Sequence, residues 1–170
     1  MCKLQKMTLL TALLSLICLS SQAVMVGYEV VAYGEDLWEY KYTIENNGAF
    51  DIRSISITFD SSLCTNLGLS SSFEISSRWD QQFLNYVPGM RIYDALAMGG
   101  NRVGVGETVS GFSVSFQYSG GGVPSSQFFE IYDPADYSEP LISGWTILVP
   151  EPATIMLMSL GFAVIRKTKH

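Results

Sequence analysis

Histidine is nearly absent from this chain: its single copy, His170, is the last residue of 170. No Ser-His, Cys-His or histidine-metal arrangement is therefore available to the interior of the sequence, which removes most hydrolase and zinc chemistries. Cysteine is almost as scarce. Of Cys2, Cys18 and Cys64, two fall in the first 18 residues, so a mature chain that has shed its leader keeps one thiol and forms no internal disulfide. Positive charge is scarce in the middle, where residues 24–149 hold only Lys41, Arg53, Arg78, Arg91 and Arg102 against fifteen carboxylates, a net charge of −10. Nucleic acid and anionic lipid are thereby excluded as partners. No helix-period stretch, internal repeat or phosphate-cradling glycine pattern occurs there either. No cofactor is expected.

What is present at the N-terminus is Lys3 and Lys6, an apolar run from Met7 to Leu19, and the small or polar Ser20 to Ala23. This is the layout of a secretory signal peptide, residues 1–23, with signal peptidase cutting after Ala23 behind the small Ser21 and Ala23. A retained anchor is the alternative, but the run is short of the ~20 residues that a spanning helix needs. A lipoprotein reading of Cys18 fails on the bulk of Ile17 before it.

Residues 24–149 suit one domain with a single core. Trp38, Tyr40, Tyr42 and Ile44 alternate with Glu39, Lys41 and Thr43, which predicts a half-buried strand running to a turn at Asn46-Asn47-Gly48, a stretch tolerant of positive φ. Ile55, Ile57 and Phe59 alternate with Ser54, Ser56 and Thr58, giving a second strand that either forms a hairpin with the first or lies in another sheet. Phe112, Val114, Phe116 and Tyr118 form the clearest strand, closed by Gly120-Gly121-Gly122. Weaker strands are read at 26–33, 73–76, 82–87, 91–97, 127–132 and 145–149. The expected fold is all-β, an antiparallel β-sandwich of immunoglobulin-like or jelly-roll-like kind, with helices only at the two ends.

Cys64 reads as a small buried hydrophobe, because nothing basic neighbours it. Glu35-Asp36 and Asp133-Pro134-Ala135-Asp136 offer oxygen ligands for calcium, yet the spacing fits no calcium loop and solvated turns are expected. Trp38 and Trp145 fall in strand patterns and are expected in the core. Trp79, between Arg78 and Asp80, is expected to be exposed.

The C-terminus has a third character. Pro150-Glu151-Pro152 precedes an apolar segment, residues 153–165, and a basic end, Arg166-Lys167-Thr168-Lys169-His170. Thirteen residues make a helix about 20 Å long at ~1.5 Å per residue, short of a ~30 Å hydrocarbon core. Such a segment suits temporary membrane capture, with the cations held on the cytoplasmic side. A final strand or helix packed on the domain is the alternative reading.

Val149 to Thr154, the apolar stretch to Ile165 and the cations after it resemble the PEP-CTERM sorting signal of Gram-negative bacteria. The resemblance covers residues 150–170 and implies recognition by a membrane-embedded exosortase, with Pro150, Glu151 and Pro152 carrying the sorting and cleavage signal and Arg166, Lys167 and Lys169 orienting the segment. It further implies delivery to the cell surface or an exopolysaccharide matrix. The phrase Gly106-Glu107-Thr108-Val109-Ser110-Gly111-Phe112 is also similar to phrases of exported proteins with such tails. The function expected is thus a secreted, non-catalytic structural or interaction protein linked to exopolysaccharide. A carbohydrate-binding module is the alternative, from the many aromatics, and a glycoside hydrolase using two of the carboxylates is the third reading.

Overall fold

The computed structural model describes residues 24–150. Residues 1–23, where a signal peptide ending at Ala23 is expected, and the tail from Glu151 through Pro152, the segment 153–165, Arg166, Lys167 and Lys169, lie outside the described residues, as do the two terminal helices expected there.

Ten strands and one short helix follow in order: β1 (Val24–Ala32), β2 (Leu37–Asn46), β3 (Ser54–Asp60), β4 (Cys64–Leu69), α1 (Phe73–Arg78), β5 (Trp79–Leu84), β6 (Met90–Ala97), β7 (Thr108–Tyr118), β8 (Phe128–Ile131), β9 (Ile142–Trp145) and β10 (Ile147–Leu148). They form two five-stranded sheets, ordered β10-β1-β2-β7-β4 and β5-β6-β3-β8-β9. All pairings are antiparallel except β1 with β10. The strands on either side of Asn46-Asn47-Gly48 therefore do not form a hairpin. β2 lies in one sheet and β3 in the other.

The alternation read from the sequence is what buries one face of each sheet. Tyr40, Tyr42 and Ile44 of β2 and Phe112, Val114 and Phe116 of β7 point inward from the first sheet, and Ile55, Ile57, Phe59, Tyr93, Phe129 and Ile131 point inward from the second. They belong to one hydrophobic cluster. Burial of each such side chain contributes roughly 1.5–3 kcal/mol, and Tyr40 stacks on Phe116 with centroids 4.9 Å apart. The buried phenols keep partners: Tyr40 Oη donates to the Ser125 carbonyl at 2.6 Å, Tyr42 Oη to Gln127 Oε1 at 3.2 Å and Tyr93 Oη to Gln81 Oε1 at 2.6 Å.

Four expectations are corrected. Residues 73–76 form part of a helix, not a strand, because Ser72 caps it by accepting the Ile75 N–H, Glu74 sits in its first turn and Arg78 in its last. Only Ile75 of that apolar pair is buried, while Phe73 is 87% exposed. The strand expected at 82–87 begins earlier, at Trp79, and β4 was not foreseen, since CTNLGL has no alternation and its pairing with β7 shifts register between Thr65 and Gly68. The strand expected at 145–149 is split at Thr146, which crosses from one sheet to the other and exchanges hydrogen bonds with Gln127: Thr146 N–H to the Gln127 carbonyl at 2.8 Å and Gln127 N–H to Thr146 Oγ1 at 2.9 Å. Asn46-Asn47-Gly48 does not use positive φ. Instead Asn46 is fully buried, its Nδ2 donating to the carbonyls of Phe50 and Val103 and its Oδ1 accepting the Gly48 N–H.

The tryptophans exchange their expected places. Trp79 is 1% exposed and packs edge-on against Phe112, centroids 5.1 Å apart, whereas Trp145 is 64% exposed. Trp38 is half-buried against the core. The cause is strand parity: Trp79 opens β5 opposite the inward Ala97, while Trp145 pairs with the outward Phe128.

Candidate functional site

Register places a single row of side chains across the outer face of the second sheet. Leu84 of β5 pairs with Ile92 of β6, Ile92 with Thr58 of β3, Thr58 with Phe128 of β8, and Phe128 with Trp145 of β9. Paired residues share a face, so five strands contribute one mainly apolar strip, in which Trp145 is exposed, Leu84, Thr58 and Phe128 are half-buried and Ile92 is buried. Four strand spacings of roughly 4.8 Å make it about 19 Å long. Phe128 and Trp145 meet edge to face with centroids 5.5 Å apart.

The next row on this face is polar: Gln82, Asp94, Ser56, Glu130 and Ser143 occupy successive strands. Ser56 Oγ donates to Asp94 Oδ1 at 2.7 Å, so this carboxylate is satisfied within the sheet. On the other side of the strip lies Asp60, at the end of β3. The Ser62 hydroxyl and backbone N–H both donate to Asp60 Oδ1, at 2.6 and 2.8 Å, and hold its carboxyl below the ordinary range. Asp60 is thus an anion at neutral pH.

The strip runs into a cavity of about 680 Å³ at this end of the molecule, which also takes in Tyr86, Tyr132 and the Ser125–Gln127 loop. A cavity of that volume is within the usual range for small-ligand sites. Tyr86 is 69% exposed. Burial first, then the neighbouring Glu130 carboxylate, pushes the Tyr132 phenol up to about 12, so it stays a neutral donor at physiological pH. Among the described residues the charged groups that line the cavity are Asp60 and Glu130, with no lysine or arginine.

Cys64 also borders the cavity but is buried, and that burial, with the Asp60 charge second, pushes its thiol up to about 11. The structure thus agrees with a packing role. In the acidic loop Asp133 Oδ1 accepts the Ala135 N–H and Asp136 Oδ1 the Ser138 N–H, each closing its own turn. Among the described residues no group of three or more His, Cys, Asp or Glu side chains is placed to hold a metal ion.

Of the sorting residues only Pro150 is described. It is exposed, one residue beyond Val149, whose N–H donates to the Tyr28 carbonyl at 2.8 Å. The Val149 side chain lies over Gly27, where a Cβ would come within 2.7 Å of it. The segment leading to the triplet is therefore seated beside the strand that begins at Val24. Among the described residues no helix is long and apolar enough to cross a membrane.

The strip itself was not foreseen from sequence. Its members come from five strands and only Trp145 had been singled out, for the core. The one available signal was an aromatic, Phe128, adjacent to an inward aromatic, Phe129.

The model of the PEP-CTERM protein-sorting motif matches residues 148–167. No curated protein matches the chain. Among solved structures the chain is similar to a GH20 exo β-N-acetylglucosaminidase from Vibrio harveyi in complex with N-acetylglucosamine, at 11% identity and a TM-score of 0.37 over 75% of this chain. It spans only 18% of that enzyme's length. It is also similar to the chitin-binding domain of Chi18aC from Streptomyces coelicolor, at 17% identity and a TM-score of 0.38, covering 62% of this chain and 89% of that one. The sorting motif implies an exported protein that is anchored transiently in the membrane and processed by an exosortase.

Proposed function

We propose that this chain is delivered to the cell surface or an exopolysaccharide matrix, where its two-sheet body, read as an antiparallel β-sandwich of immunoglobulin-like or jelly-roll-like kind, acts as a non-catalytic structural or interaction module. Signal peptidase releases it after Ala23. An exosortase recognises Pro150, Glu151 and Pro152 while Arg166, Lys167 and Lys169 hold the apolar segment in orientation. The observation that carries this reading is the position of the matched motif, residues 148–167, which begins where the last strand of the body ends. A mainly apolar segment of thirteen residues anchors weakly, which suits a handle that is later removed. Expression with and without residues 150–170, followed by cell fractionation, tests it. Surface or matrix delivery is expected for the full chain alone, and equal delivery of both forms refutes the reading.

A second reading, carbohydrate binding by the same body, is favoured by the strip from Leu84 to Trp145. The exposed Trp145 ring, with the half-buried Phe128 beside it, is a platform that stacks on the apolar face of a sugar, and the neighbouring carboxylates accept hydroxyl hydrogens.

A further inference from the structure

We propose that the strip Ile92–Thr58–Phe128–Trp145, with Tyr86 at its mouth, binds a saccharide chain that carries no negative charge, laid across the strands of the second sheet. The inference rests on the carbohydrate-binding reading and adds which saccharides are accepted, in what direction, and by which groups.

Three observations converge. First, the strip is long and partly open: it crosses four strands, Trp145 and the neighbouring Tyr86 are 64% and 69% exposed, Thr58 and Phe128 are half-buried, and the buried Ile92 lines the cavity. An open row does not enclose a small cation as an aromatic cage does, because a cage surrounds its guest on several sides. An extended ligand running past the rings fits it. Second, among the described residues the only charged groups that line the cavity are carboxylates, Asp60 on one side of the row and Glu130 on the other. They accept hydrogen bonds from vicinal hydroxyls, and such charge-assisted bonds are the stronger kind. Third, the same two carboxylates with no lysine or arginine among the lining residues leave a uronate or sulfate group unpaired beside two anions, which repels it. The body's net charge of −10 over residues 24–149 adds to that repulsion at a distance. The hydroxyls of Thr58 and Ser126 supply donors without adding charge.

The test is titration calorimetry of the purified 24–149 body, secreted without the tail and first shown to be folded by its tyrosine near-ultraviolet signal, against neutral glucan, mannan and galactan oligomers and against an oligogalacturonate. At least one neutral oligomer is expected to bind and the uronate is not. Trp145→Ala is expected to weaken that binding about tenfold, the loss of one stacking ring. Because Trp145 is exposed on an edge strand, its removal leaves the core intact, and unchanged thermal unfolding checks this. Asp60→Asn with Glu130→Gln is expected to open the site to the uronate. Binding of the uronate as tight as that of the neutral oligomers overturns the charge selection while leaving carbohydrate binding standing. Failure of every oligomer overturns both, and neither result touches the sorting of the tail.

Discussion

At the scale of the residue, the two tryptophans show what alternation can and cannot tell. Tyr40 and Tyr42 sit in the middle of a long alternating run, so their inward direction was legible. Trp79 and Trp145 sit at strand ends, where one residue of register decides the face. Trp79 is buried, and its Nε1 has no hydrogen-bond partner, the sole such side-chain atom among the described residues. An unpaired buried donor costs about 1–3 kcal/mol, against which the indole contributes its buried area and its edge-to-face contact with Phe112. Trp79→Phe keeps an aromatic ring and removes the orphan, so it is expected to stay within about 1 kcal/mol of the parent. Trp79→Ala opens a cavity and is expected to cost about 3–5 kcal/mol. Denaturant unfolding of both variants checks this, and equal losses would show that the packing of the indole was not the stabilising feature.

At the scale of the element, β2, β3 and β7 were legible because each alternates over several residues, and β1, β6 and β8 coincide with the weaker strands read at 26–33, 91–97 and 127–132. The helix α1, β4 and the split of the last strand were not, since each depends on a partner from elsewhere in the chain. Gly111 shows how. It is skipped in the pairing of β2 with β7, which passes from Phe112 to Ser110, and it takes φ +105°. That bulge brings its carbonyl to the Ser72 N–H at 2.9 Å, at the start of α1, and a Cβ there would meet Ser72 Oγ at 2.7 Å. Gly111→Ala therefore combines a disfavoured φ with a clash and is expected to destabilise by about 1–3 kcal/mol. Thermal melting measures it, and an unchanged midpoint would contradict the role given to the bulge. The candidate strip was hidden for the same reason. No window of sequence contains Ile92, Thr58, Phe128 and Trp145 together; only the pairing of four strands does.

At the scale of the whole molecule, the core is rich in phenols, and this makes stability depend on alkaline pH. Burial raises the pKa values of Tyr40, Tyr42 and Tyr93 above the ordinary 10.0. The stabilisation is fully present below about pH 10; as pH rises further the unfolded chain releases phenol protons that the folded one retains, and stability falls. Tyrosinate absorbance from these three side chains is expected to appear only together with cooperative unfolding, and their ordinary titration in a still-folded protein would contradict the burial. The C-terminal tail, where the sorting-motif model matches residues 148–167, was legible for a different reason. Its length and charge layout answer to a bilayer, a solvent whose thickness is known, and need no register to be read. The central claim, that residues after the Pro150–Pro152 triplet are an address removed in use, is tested most directly by intact-mass spectrometry of the protein recovered from the surface or medium of an exosortase-bearing host. The account predicts a mass for residues from 24 to at or near the triplet. A water-soluble product that still carries residues 153–170 would contradict it.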